Sequence, residues 1–473
     1  MVGFWWTLTP YDQLCGMANE GSTTAFDRRL RWSTHALFAG MALLALWSYR
    51  ERIFLDSTHY LAHALNSGLP HVEHQRLVLA LAELPALLAW HLALPMGLVL
   101  IVWSVGHVVW AWLAAALCLR WGRPAIALSI AVTQVAGRHE MYFSPVLETG
   151  YGATTALLLL AWWQRHPWPT GRRALVWVLL AALLVTSHPG HLLTFLLVTA
   201  LVWHCTRDRR VLMLAALPMI LFVVLKIGFV STYEHDRMLS GWWARRPPWL
   251  AWDYPRLLAS LALRHFPDLL LLTGVGVWAL LRSGRFAGIL LHVSGMLAAI
   301  LMVNSLMQAT SAGWYHESQY VVLTVITLML AAAALEQSAP RGRQMVLMTL
   351  LLVGVGRMVS IADLGLQRQT RRVAIEEFAV KCAQQGGKCV VPSVPGAGSA
   401  DRWEWSLPME ALLLGSAAHG LAVSVIGTDD LAHDPRYANL SDSMVLFRRF
   451  EPLPIDALHP RFRTRPGPYV ALE

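Results

Sequence analysis

The chain has 473 residues, 56% hydrophobic and 14% charged, with a mean hydropathy of +0.47. Soluble domains carry about 25% charged residues, so this balance excludes an ordinary soluble protein. The formal charge of +9 sits mostly in short arginine loops between apolar runs, where membrane topology accounts for it, so it is not read as a nucleic-acid surface.

Apolar runs of roughly 15–25 residues recur to position 362, which marks a polytopic membrane protein. Lipid-facing backbone must satisfy its own hydrogen bonds, so the runs are read as helices. The alternation of a barrel is not visible, and no long internal repeat shows. The 22 tryptophans suit interfacial belts.

Residues 1–33 read as a cytoplasmic segment. Positions 1–20 lack the basic start and long apolar stretch of a signal peptide. Arg28, Arg29 and Arg31 flank a first span at 34–49, whose far end is then outside. A polar island follows at 54–76, with Asp56, His59, His63, His71, Glu73, His74 and Arg76. A carboxylate at the end of a span is costly unless it faces water or a partner. Two apolar helices come next, near 74–91 and 93–119. Only one of them can cross if Asp56 is outside and the loop 120–123 inside. The first holds Glu83, Pro85 and His91, and is expected to lie on the outer surface or re-enter, giving a first outer loop at 50–92.

Further spans are expected near 124–137, 145–164, 174–187, 191–204, 211–230, 256–281, 287–304, 319–335 and 345–362, about eleven in all. Arginine loops at 120–123, 165–173, 207–210, 282–285 and 341–343 are assigned inside. Loops at 137–142, 187–191, 231–255 and 304–319 hold histidines, carboxylates and aromatics and are assigned outside. The two sets alternate, as the positive-inside rule requires.

After 363 the composition turns polar and richer in Gly and Pro. Helices at 367–385 and 407–418, with strands at 388–392, 421–427 and 443–447, predict a small α/β extracytoplasmic domain over 364–473. Cys382 and Cys389 are either a disulfide in an oxidising compartment or two reduced buried thiols.

Every outer loop contributes ionisable groups: Asp56, His59, Glu73 and Arg76; Arg138, His139, Glu140 and nearby Glu148; His188 and His191; Glu234 to Arg237; His316 and Glu317. An outward polar cavity explains such one-sidedness. Blander readings stand beside it. Asp56 suits an N-cap of a helix starting near Ser57, Glu148 a helix–helix hydrogen bond, His188 and His191 a solvated turn, and His316 with Glu317 an interfacial anchor. His59 and His63 share one helix face at metal-ligand spacing, but no third ligand is evident and no metal site is assigned. P-loop, GxGxxG, GxSxG and HExxH signatures are absent.

An inside N-terminus, one span, and a large first outer loop with an acidic residue near its start (LDSTHY) resemble the GT-C class of integral-membrane glycosyltransferases. A second acidic position matches in GRHEMYFSP. The resemblance implies a GT-C-like membrane domain over 34–363 and transfer of a sugar from a lipid-linked, polyprenyl-phosphate donor on the outer face. It implies Asp56 as general base or metal ligand and Glu140 as second acid. His59, Arg76, Arg138, His139, Glu148, His188, His191, His316 and Glu317 would then contact substrate. The cofactor stays unknown, a divalent cation being admitted by the metal-ligand role. Expected partners are the lipid-linked donor and membrane lipid, with no nucleic acid. The expected location is a bacterial inner membrane, with the C-terminal domain periplasmic. The competing readings are a catalytically silent scaffold and a transporter of a lipid-linked or small polar solute. A transporter would carry inverted repeats and mid-span charges in both halves.

Overall fold

The computed structural model describes residues 24–166, 169–229, 254–306, 313–391, 406–427, 440–448 and 451–472. It is mostly helical. Helix α1 (Ala25–Trp47) begins with a capping box: the Asp27 amide donates to Thr24 Oγ1 at 3.1 Å and the Thr24 amide to Asp27 Oδ2 at 3.2 Å, satisfying two orphan donors. Then come α2 (Asp56–Ser67), α3 (Val78–His91) and α4 (Met96–Arg120).

Helices α1 and α4 run antiparallel, and their side chains record the pairing. Ser104 Oγ donates to the Ala45 carbonyl at 2.7 Å, Trp112 Nε1 to His35 Nδ1 at 2.9 Å, and Arg31 Nη2 to the Leu119 carbonyl at 3.1 Å. Both α2 and α3 therefore sit at one end of this pair. The His91 ring, at the end of α3, returns to the Gly68 carbonyl at the end of α2, at 3.0 Å. The expected helix at 74–91 starts later than predicted. Its first residues form turns in which His74 and Gln75 hold φ of 53° and 56°.

The bundle continues through α5 (Pro124–Thr133), α6 (Glu148–Arg165), α7 (Arg172–Ser187), α8 (His191–Thr206) and α9 (Arg210–Val223), which ends in a π-turn to Gly228. The span expected at 256–281 is broken. It forms α10 (Tyr254–His265) and α11 (Pro267–Leu281), because Pro267 opens a new first turn. Then follow α12 (Phe286–Leu306), α13 (Gly313–Gln337) and α14 (Pro340–Gln384). Among the described residues three helices, Met96–Arg120, His316–Gln337 and Pro340–Gln384, are long and apolar enough to cross a bilayer. The expected span at 124–137 is instead the ten-residue α5. The expected loop at 231–255 lies almost wholly outside the described residues.

The loops do separate into two groups. At one end Arg123 donates to the Gln164 carbonyl, the Ala339 amide to Ser283 Oγ, and Arg31 to Leu119. At the other, Arg52 meets Tyr142, Ser57 meets Ser144, the His139 amide meets Glu317, and Lys226 meets the His74 carbonyl.

Helix α14 carries the chain out of the bundle. The expected span 345–362 and helix 367–385 are one 45-residue helix, about 68 Å long at 1.5 Å per residue. Arg357 pairs with Asp268, and two turns past it Gly365 packs against Trp47 and Phe143. Farther on, Arg372 bonds Glu51, and Arg371 bonds the buried Glu410 of α15 (Leu407–His419).

The C-terminal unit is built on that helix. A Gly386–Gly387 turn, with φ of 106° and 92°, is open only to glycine without strain. It leads into β1 (Lys388–Val391), which pairs in parallel with β2 (Ser424–Gly427) and β5 (Val470–Ala471). An antiparallel pair, β3 (Met444–Arg448) and β4 (Glu451–Pro454), lies beside it. Cys382, in the last turn of α14, forms a disulfide with Cys389 of β1, Cα to Cα 5.6 Å. A second apolar core joins this unit to α2, α3 and the start of α4, through Leu61, Leu65, Trp90, Phe447 and Phe462.

Candidate functional site

Helix α2 is held by its own first turn. The Ser57 amide donates to Ser144 Oγ at 3.2 Å, and Ser57 Oγ accepts from the Val146 amide at 3.3 Å. The segment before α6 is thereby stitched to the start of α2. The N-cap position belongs to Leu55, at φ 51° with no side-chain cap, so Asp56 is the first helical residue and its blander reading as an N-cap does not hold. A carboxylate there is favoured by the helix dipole.

The stitch brings the start of α6 against the first loop. Arg76 forms an ion pair with Glu148, and both side chains are largely buried. Tyr60, one turn beyond Asp56, has its phenol held well above the usual range by burial, then by Glu148, with Asp56 and Glu73 adding to it and Arg76 opposing. His188 stands in the turn between α7 and α8, where its Nδ1 accepts from the Gly190 amide at 3.1 Å. Burial, and then the charges of Arg76, His191 and Lys226, hold its pKa well below the ordinary imidazole value. Lys226 Nζ donates to the His74 carbonyl at 2.6 Å. Asp56, Tyr60, Arg76, Glu148, His188 and Lys226 thus form one polar group.

A second group lies beside it. Glu73 Oε1 accepts from His59 Nε2 at 3.0 Å and from His71 Nε2 at 3.1 Å, and Glu73 Oε2 lies 3.7 Å from His74 Nε2. Burial alone would raise the Glu73 carboxyl, but the His59 and His71 hydrogen bonds hold it well below the usual range. His59, His63 and His71 each offer a ring nitrogen within 4.8 Å of the others. The third histidine of this cluster, His71, is not at helical spacing from the other two; the left-handed Gly68 that ends α2 brings it back beside them.

A third group is a cavity lined by Arg52, His107, Gln134, Arg138, Tyr142, Tyr151 and apolar neighbours. Its free volume is about 30 Å³, room for about two ordered waters. Arg52 and Arg138 are 3% and 8% exposed. Arg52 lies 4.3 Å over the Tyr142 ring, and His107 bonds the Tyr151 hydroxyl. Arg52 Nε and Arg138 Nε and Nη2 have no hydrogen-bond acceptor among the described residues. Burial and the neighbouring Arg52 bring Arg138 down to about 10, against a pull upward from Glu317, so it stays a cation at neutral pH. Its guanidinium lies 2.9 Å from where a Cβ on Gly150 would stand. That places the cavity two residues from Glu148 and the first group.

The remaining expected residues are elsewhere. Glu317, buried at the start of the apolar stretch of α13, accepts from the His139 amide at 2.8 Å and the Met141 amide at 2.9 Å. This fixes the short 3-10 helix Glu140–Phe143. Asp268 holds the same loop from below, accepting from the Gly137 amide at 2.7 Å while Arg357 grips it at 2.6 and 2.8 Å. His139 Nε2 meets the Ser360 carbonyl at 3.2 Å, and burial leads the effects that lower its pKa. Glu140 lies in this same loop, half-buried. His316 is buried and faces His265 at 6.0 Å between ring centroids. His191 is fully buried rather than solvated, its Nε2 on the Thr149 carbonyl at 2.8 Å.

Of the expected residues, Asp56, His59, Arg76, Glu148 and His188 come together, with Arg138 adjoining. His139, Glu140, His316 and Glu317 gather around the clamped loop. Arg52, His107, Tyr151 and Lys226 were not singled out as site residues, although His107 lies inside an apolar run, where an ionisable group is a functional signal. Glu234, His235, Asp236 and Arg237 lie outside the described residues. No family model, curated protein or solved structure matches the chain.

Proposed function

We propose that the chain is a multi-pass membrane glycosyltransferase of the GT-C kind, moving a sugar from a polyprenyl-phosphate donor to an acceptor hydroxyl. The observation that carries the reading is the arginine-lined cavity. Two buried guanidinium groups with unmet donors are costly in an empty site and suited to an anion, because charge-assisted bonds to phosphate are strong and often bidentate.

The reaction divides among the neighbouring groups. The acceptor oxygen attacks the anomeric carbon while Asp56 takes its proton as general base. The bond from the anomeric carbon to the phosphate oxygen breaks, and the configuration inverts. The departing phosphate gains charge, which Arg138 and Arg52 offset. Arg76, tied to Glu148, and His188 border the sugar, and His59 and His191 support the walls. Glu140, with His139, His316 and Glu317, is assigned to the acceptor side as the second acid. The polyprenyl tail lies along α3, which leaves Leu84 and Leu88 exposed. The Cys382–Cys389 disulfide supports an oxidising compartment for this end of the molecule, the periplasm if the membrane is a bacterial inner membrane.

The test is transfer from a panel of polyprenyl-phosphate sugars by protein reconstituted in nanodiscs. Asp56→Asn is expected to lower kcat by ~10²-fold or more with little change in donor affinity. Full transfer by that variant removes Asp56 from the mechanism. A wild-type protein that binds no polyprenyl phosphate favours the silent scaffold instead.

A further inference from the structure

We propose that His59, His63 and His71 form a binding site for one divalent transition-metal ion of the zinc class. The site adjoins the proposed transfer groups, with His59 common to both, but it does not depend on that reading.

Three observations carry it. His59 and His63 are four residues apart on α2, and so share a face. The turn at Gly68, in the left-handed region at φ 71°, sends the chain back so that His71 reaches the same point. The three ring nitrogens then lie within 4.8 Å of one another. Ligands 2.0–2.1 Å from a tetrahedral zinc ion are separated by about 3.3 Å. The rings need to close by only about 1.5 Å to meet those bond lengths. His59 is the fixed member, 4% exposed, while His63 and His71 are half-buried.

Glu73 completes the arrangement. A ligating imidazole usually gives its other N–H to a carboxylate, which fixes the tautomer and raises ligand basicity. Glu73 Oε1 sits on Nε2 of both His59 and His71 and so orients both rings. Phe447 of β3 packs edge-on against His63 with centroids 4.9 Å apart, so the C-terminal unit forms one wall. His71 and Glu73 are 29% and 27% exposed, leaving a fourth position on the solvent side for water. Bound there, an ion ties the loop 68–77 to α2 and fixes the stretch that carries Arg76.

The experiment uses the full chain, purified on a tag without histidine and reconstituted in nanodiscs. Metal content is read by mass spectrometry, and Co²⁺ is added alone to the metal-depleted protein and followed by its visible absorption. The wild type is expected to hold about one zinc per chain and to show a tetrahedral cobalt spectrum. His63→Asn and His71→Asn are expected to lose both, while Glu73→Gln weakens affinity by ~10–100-fold. His419→Asn, at the exposed end of α15, and Asp56→Asn are expected to retain full loading. Asp56→Asn thus separates the site from the transfer reaction, since it loses only the latter. Should a ligand variant misfold, the cobalt titration of the wild type still decides. No stoichiometric zinc and no cobalt spectrum in the folded wild type overturn the proposal, as does loading that His63→Asn and His71→Asn leave unchanged.

Discussion

Arg52 and Arg138 are costly residues for the protein without ligand, because each is a buried cation and the two repel. Replacing Arg138 by Met is therefore expected to raise the melting temperature of the ligand-free protein. The same change is expected to abolish the extra stability given by polyprenyl phosphate. Thermal melts with and without the lipid measure both effects, and a variant that the lipid still stabilises would remove Arg138 from the anion site. His188 makes a second residue-scale prediction. Its native pKa is depressed by burial and by nearby cations, whereas an unfolded histidine titrates near ~6.5. The unfolded chain then binds a proton that the native chain refuses, so stability falls as pH drops below about 6.5. His188→Asn is expected to flatten that acid limb between about pH 6.5 and 5. An unchanged slope in melts taken across that window would rule this out. Much at this scale was legible: Asp56, Arg76, Glu148 and His188 stand together because polar groups near a bilayer seek one another. Arg52 was hidden because a positive charge beside a span reads equally well as a topology signal. His71 was hidden because its approach depends on one glycine turn, not on helical spacing.

At the scale of elements, α6 is wedged against α7 and α8 with no room to spare. A Cβ on Gly152 would collide with the His191 ring and the Ser187 hydroxyl. Gly152→Ala is expected to destabilise by ~1–3 kcal/mol, seen as a lower thermal midpoint. Gly288, where an added Cβ meets nothing, is the control. Helix α14 makes the other prediction. Leu366 is 57% exposed, so Leu366→Ala should be nearly neutral. Leu366→Pro removes a backbone donor in a helix interior and should cost ~3 kcal/mol or more, exposing new protease sites near that point. The end of the apolar run at 362 looked like a helix end because the composition changes there. Polarity marks where a helix leaves an apolar environment, not where it stops, and no proline stands between 362 and 385. The break at Phe266 is the opposite case, since Pro267 signals it between the polar residues Arg264, His265 and Asp268.

Among the described residues, the contacts of Arg31 and Arg123 lie at the opposite end of the α1–α4 pair from those of the first loop and His139. Element lengths were less legible: helices such as α5 are shorter than a span, because burial against neighbours defines them as well as lipid does. The C-terminal unit came through in outline, with its helix and three of its strands. Its β4 strand carries two prolines (Pro452 and Pro454), which argue against a strand, and its β5 is only two residues long. Closing the short Cys382–Cys389 loop should contribute ~2–3 kcal/mol in the chain-entropy description. Cys389→Ser is therefore expected to lower the melting temperature of this unit, and a non-reduced peptide map should show the linked pair in the wild type. The length of α14 also has a mechanical consequence. From Arg357 to Gln384 the helix is a stiff arm of about 40 Å, anchored at one end by Asp268 and bolted at the other to the sheet through Cys382. Asp268 also holds the loop that presents Arg138. Between those two ends the arm is also held at Glu51 and Glu410, so the sheet and the Arg138 loop share one rigid support.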